Sequence, residues 1–149
     1  MAVLFKLSNA VAIGLHAAMF LATDEGQSAT ALQIARTFSI SAAHLVKVLQ
    51  TLSRAGLIEA TRGRGGGYRL SRPARKISLL ELVEAIEGKM EVQECLLRHP
   101  MCHNRKCILG PLVRNINSQT LDYLKKHTVA ELAATLAASE PNHQGGDPT

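Results

Sequence analysis

The stretch SAAHLVKVLQTLSRAGLIEATRGRGGGYRL, Ser41 to Leu70, decides the fold. Leu45, Val48, Leu49 and Leu52 recur at three-to-four spacing, which predicts an amphipathic helix running to Arg54. Ser41 can cap its start, and Gly56 closes it at the C′ position. Ala42, Ala43, His44, Lys47, Thr51 and Arg54 lie elsewhere on the helix surface. Leu57–Ala60 and Tyr68–Leu70 then read as short strands on either side of a Gly-rich, Arg-bearing tip, a β-hairpin wing. The glycines permit backbone angles and close approaches that a side chain forbids. Arg62 and Arg64 would project from a thin tip suited to a narrow minor groove. A phosphate-cradling nucleotide loop is the competing reading. It needs a Lys-Ser/Thr after the glycines and then a helix, and the chain offers a strand instead.

Working outward, residues 5–22 predict a first helix, with Leu7, Val11, Leu15, Ala18 and Ala22 along one side. Asp24–Gln27 is a polar break. Thr30 and Gln33 match a capping box that opens a short helix over 31–37, and Phe38–Ile40 makes a turn into the Ser41 helix. Three short helices in this order predict a helix-turn-helix, whose last helix enters the major groove by its N-terminal residues. That singles out Ser41, Ala42, Ala43, His44 and Lys47, with Arg62 and Arg64 of the wing, as DNA-contacting residues. Beyond the wing, Ser78 and Glu81 form a second capping box for a helix that Gly88 ends. Pro111 suits the first turn of a longer helix to Lys126, and Thr128 with Glu131 opens a last helix to Ala138. Residues 139–149 are expected to be a disordered tail.

The fold class that follows is mainly α with a small β-hairpin wing: a winged helix-turn-helix plus a long dimerisation helix. Residues 1–76 would form the DNA-binding domain, with the first helix also packing at the dimer interface. Residues 77–138 would supply a cysteine loop and dimerisation helices. The charge agrees. Net charge is +5 over 149 residues, but residues 1–76 carry ten Lys/Arg against three acids, and residues 77–149 seven against nine. A basic N-terminal half is what a polyanion binder needs. Aromatic residues make up only 3% and Trp is absent, which argues against a single-strand binder that stacks bases on rings. The apolar run at 10–22 is too short to span a bilayer and lacks the flanks of a secretory signal, so a cytoplasmic protein without membrane association is expected. No nucleophile–base or paired-carboxylate constellation suggests an enzyme. Glu81, Glu84, Glu87 and Glu91 read as a solvated helical face.

Cys95, Cys102 and Cys107 fall within thirteen positions. An odd cysteine count in a cytoplasmic protein suggests metal ligation or reactive thiols rather than a disulfide framework. The spacing has no Cys-x2-Cys pair and is not that of structural zinc. Thiolates on irregular loops suit iron–sulfur clusters, and Arg98, Arg105 and Lys106 nearby favour thiolate.

With Leu57-Ile58, the wing Arg62–Tyr68, the helix Leu79–Gly88 and three cysteines just after it, the sequence resembles the IscR/NsrR/RirA-type family of winged-helix iron–sulfur transcriptional regulators. The resemblance covers about residues 2–138. It implies a homodimer whose DNA binding, usually as a repressor, depends on an iron–sulfur cluster held by Cys95, Cys102 and Cys107, with [4Fe-4S] favoured over [2Fe-2S]. The fourth ligand departs from the family. One branch uses an N-terminal Asp from the partner subunit, where this chain has Asn9. Another uses a His three residues after the third cysteine, where this chain has Gly110. His99 and His103, between the cysteines, are the other candidates. The expected partner is a near-palindromic double-stranded DNA operator, and the expected signal is nitric oxide, iron or redox state. The alternatives are a cluster-free regulator using its cysteines as a thiol switch and an iron–sulfur carrier, in which a basic wing would have no purpose.

Overall fold

The computed structural model describes residues 6–102 and 107–138. The expected tail at 139–149 lies outside the described residues, as do His103, Arg105 and Lys106. Helix α1 spans Asn9–Thr23 and begins four residues later than its apolar periodicity predicts. Ser8 is the reason: its extended backbone ends the preceding segment, and its hydroxyl accepts the Val11 N–H at 3.2 Å. Val11, Ile13, Gly14, Ala17, Ala18, Met19 and Leu21 are all buried, so α1 is buried on nearly every side and forms the central post. Its small residues let neighbours approach closely. A methyl group on Gly14 would meet Ile86 Cδ1 at 2.5 Å and Val48 Cγ1 at 3.4 Å.

Helix α2 (Ala31–Phe38) opens with the expected capping box. Thr30 Oγ1 accepts the Gln33 N–H at 3.2 Å and Gln33 Oε1 accepts the Thr30 N–H at 2.8 Å. Ser39 turns the chain in a left-handed conformation, and α3 (Ala42–Arg54) follows with Ser41 at its cap. Leu45, Val48, Leu49 and Leu52 are the buried side of α3, and Gly56 at φ +76° ends it as expected. Strands β1 (Ile58–Thr61) and β2 (Gly67–Leu70) pair antiparallel, with Ile58 opposite Leu70 and Thr61 opposite Gly67. The hairpin also pairs with residue 29, since Ala29 and Tyr68 exchange both backbone hydrogen bonds at 2.9 and 2.8 Å.

A 3-10 turn at Ala74–Lys76 leads to α4 (Leu79–Glu87), capped by the Ser78–Glu81 box. Helix α5 spans Leu109–Lys126 and α6 Val129–Ala138. The starts of α4 and α6 are tied side by side: the Leu79 N–H donates to His127 O and the Val129 N–H to Ile77 O, both at 2.9 Å. The core gathers Val11, Ile34, Leu45, Leu49, Leu52, Ile58, Ile77, Leu82, Val83 and Val129 around α1. At about 1.5–3 kcal/mol for each fully buried aliphatic side chain, this cluster is the main source of stability. Helix α5 is the exception, burying only Leu124. No helix among the described residues is long and apolar enough to cross a membrane.

Candidate nucleic-acid interface and cysteine loop

The leucines of α3 fix its other side outward. Ser41, Ala43 and Lys47 are exposed, Ala42 and His44 partly so, and Gln50 continues the row one turn past Lys47. Two alanines near the helix start keep that end slim. His44 is held twice: its N–H donates to Ser41 Oγ at 3.4 Å, and its Nδ1 lies 3.5 Å from the Asn9 side-chain nitrogen. Gln50 could have been found from its i+3 spacing to Lys47. The Asn9–His44 contact spans 35 positions and has no signal in the sequence.

The wing carries its arginines differently along its length. Arg69, on the stem, is paired with Glu59 across the strands at 3.0 Å. Arg62 and Arg64 at the tip are exposed and make no hydrogen bond or ion pair among the described residues. Two glycines shape this hairpin. A methyl group on Gly66 would meet the Thr61 and Gly63 carbonyl oxygens at 2.6 and 2.7 Å, and one on Gly67 would meet the Ala29 carbonyl oxygen at 2.5 Å. Neither position tolerates a side chain, because the obstacle is backbone. The result is a narrow loop presenting two uncompensated cations at the tip of the hairpin that follows α3.

The cysteines lie on the segment between α4 and α5. Cys95 is half-buried, Cys102 and Cys107 are exposed, and all three are free thiols. Cys95 Sγ accepts the Leu97 N–H at 3.4 Å. The loop is anchored to the head of α5: Arg114 pairs with Glu94 at 3.0 Å and the Asn117 amide donates to Gln93 O at 3.1 Å. A methyl group on Gly110 would sit 3.5 Å from the Glu94 carbonyl oxygen and 4.0 Å from Cys107 Cβ. The neighbour of Cys95 and Cys107 itself therefore meet at one corner, facing the position where a related branch has a histidine. Among the described residues no three metal-ligating side chains converge on one point. His99 and Arg98 are exposed in the loop, and His103 falls outside the described residues. The donor set nevertheless fits an iron–sulfur cluster: three soft sulfur ligands, none in a disulfide, one already receiving a backbone N–H.

The shared architecture has known counterparts. The family model described as Rrf2, an iron-dependent transcriptional regulator, matches residues 7–135. The chain belongs to the Rrf2 family. Among Rrf2-type relatives, the HTH-type transcriptional regulator NsrR of Bacillus subtilis is 34% identical over 134 residues, covering 85% of this chain and 89% of that protein. The structure of CymR, the global cysteine regulator of B. subtilis, superposes with a TM-score of 0.75 at 25% identity, covering 89% of this chain and 98% of CymR. T. potens IscR shares the fold with a TM-score of 0.72 at 23% identity, over 95% and 94% of the two chains. The fold is thus the winged helix of Rrf2 regulators, and the relatives are DNA-binding transcriptional regulators rather than enzymes.

Proposed function

We propose that this Rrf2 regulator is a homodimeric repressor whose hold on a near-palindromic operator is controlled by an iron–sulfur cluster. The observation that carries the reading is the joining of three free thiols, on a loop anchored to α5, to a winged helix with an open cationic tip. Ser41, Ala42, Ala43, His44 and Lys47 meet the major groove, and Arg62 and Arg64 meet the adjacent minor groove or its phosphates. Cys95, Cys102 and Cys107 hold the cluster, a [4Fe-4S] in preference to a [2Fe-2S]. The fourth iron position falls to Asn9, His99, His103 or a small molecule. When bound, the cluster supplies a centre that reacts with nitric oxide or oxidants or is lost when iron is scarce. The loop transmits that change through Glu94–Arg114 and Gln93–Asn117 to α5.

Anaerobic purification with absorption spectroscopy and iron and sulfide analysis tests the reading. Expected are near-stoichiometric iron and sulfide, their loss in Cys95→Ser, Cys102→Ser and Cys107→Ser, and operator binding that changes after exposure to nitric oxide. The exposure of Cys102 and Cys107 also suits a thiol switch. A colourless, iron-free protein whose operator binding responds to a disulfide-forming oxidant would establish that alternative.

A further inference from the structure

Each of the three cysteines has a large apolar neighbour in the chain. Leu96 and Leu97 follow Cys95, Met101 precedes Cys102, and Ile108 follows Cys107. All four are open to water, between 58% and 91% exposed. Apolar side chains scattered singly over a surface are ordinary, but four gathered on one short loop call for a partner. The geometry of the loop says where that partner lies. The Leu97 N–H reaches Cys95 Sγ at 3.4 Å, so the chain doubles back and sets Leu97 against a sulfur. A methyl group on Gly110 would stand 3.5 Å from the Glu94 carbonyl oxygen and 4.0 Å from Cys107 Cβ, so the segment entering Cys95 shares a corner with Cys107. The Arg114–Glu94 and Asn117–Gln93 contacts pin the loop there. Consecutive α-carbons are about 3.8 Å apart, so drawing three sulfurs to one cluster draws their chain neighbours to its edge. We propose that Leu96, Leu97, Met101 and Ile108 form an apolar rim around the cluster, which admits small uncharged molecules to the iron and holds back charged ones.

The proposal rests on the cluster reading and adds which class of molecule reaches the metal. A charged solute loses its hydration when it enters apolar surroundings and pays heavily for it, whereas an uncharged diatomic gas has little hydration to lose. The apolar shell of a metal site also controls the access of water. Arg98 and His99 are exposed on the same loop and would draw anions toward it. The rim works against that attraction. Leu96, Leu97 and Met101 follow the cysteines rather than the three-to-four spacing of the α5 stripe, which sets them apart from the helix face left for a second copy.

The test uses the full-length protein with its cluster assembled anaerobically, and two probes of the same absorbance band. One is a polyanionic iron chelator and the other is nitric oxide. In Leu97→Gln and Met101→Gln, iron removal by the chelator should speed up about tenfold while bleaching by nitric oxide changes less than about twofold. Leu97→Met and Met101→Leu should keep the parental rates. The loop charge is the same in all four variants, so a change reads the apolar cover and not the attraction by Arg98. Sedimentation should show every variant in the parent's oligomeric state. Unchanged chelator rates, or equal acceleration by both probes, overturn the rim. Variants that fall apart into monomers would assign these side chains to the subunit contact and overturn it too. A parent that takes up no iron fails before any variant is made, and it is then the cluster reading that falls.

Discussion

Ser39 holds the turn between α2 and α3 at φ 54°, ψ 44°, a left-handed conformation in which a β-carbon crowds the backbone. Relief of that crowding should outweigh the added freedom of glycine in the unfolded chain. Ser39→Gly is expected to stabilise by up to about 1 kcal/mol, raising the melting temperature by roughly 2–4 °C. An unchanged or lowered melting temperature would mean the turn is not strained. Glu81 makes a second residue-level statement. Burial pushes its carboxyl upward, but the Ser78 N–H and hydroxyl and the Arg72 guanidinium outweigh it, and the net shift is below the ordinary 4.5. A depressed folded value contributes stability above the unfolded value and loses it as pH falls through the folded one. Glu81→Gln keeps an acceptor for the capping box but loses the ion pair with Arg72, whose partners are more than a third exposed. It should cost no more than about 1 kcal/mol at pH 7, and the gap should close as the pH falls below 4.5. Urea midpoints of parent and variant at both ends of that range decide it, and a gap persisting in acid would indicate lost packing rather than lost charge.

At the scale of elements, the sequence was legible wherever a start or stop carries its own local chemistry. The Thr30–Gln33, Ser78–Glu81 and Thr128–Glu131 boxes, and Gly56 and Gly88, placed their helix ends because each signal acts over three or four residues. The start of α1 was misplaced because Leu7 extends the apolar stripe past Ser8, and periodicity alone does not register the cap. The Ala29–Tyr68 and Ser78–Thr128 pairings were invisible, since no spacing rule links residues 39 and 50 positions apart. The cysteine loop offered a donor set but no periodicity or cap between Gly88 and Leu109, so its path could not be read. The wing shows how a local signal becomes a functional prediction. Arg62 and Arg64 are exposed and unpaired, so Arg62→Ala and Arg64→Ala should leave folding unchanged. Each should weaken binding to all DNA sequences and reduce the slope of log affinity against log salt by about 0.9. Arg69→Ala, already neutralised by Glu59, should change the slope less. Equal effects of all three would mean the tip has no special contact.

At the scale of the whole molecule, α5 is the helix whose apolar stripe the described residues leave largely uncovered. Of the apolar stripe expected from Leu109 to Leu124, only Leu124 is buried, while Leu112 is 53% and Ile116 49% exposed. Apolar side chains repeated along one helix and left open to water are what an isologous dimer covers with a second copy. The cysteine loop is fastened to the same helix through Arg114 and Asn117. Dimer contact and cluster loop would thus share one support, and a change at the thiols would act on the spacing between two reading heads. Ile116→Glu tests the arrangement without disturbing a core, because Ile116 is half exposed before any partner arrives. Sedimentation should show a dimer for the parent and a monomer for the variant. The parent's melting temperature should rise with protein concentration and the variant's should not. Since two linked heads bind two half-sites at high effective concentration, affinity for a two-half-site duplex should fall about 100-fold or more. Affinity for a single half-site should stay the same. An Ile116→Glu protein that remains dimeric, or that loses affinity equally for both duplexes, would mean that the stripe is not the seam and that the heads are joined elsewhere.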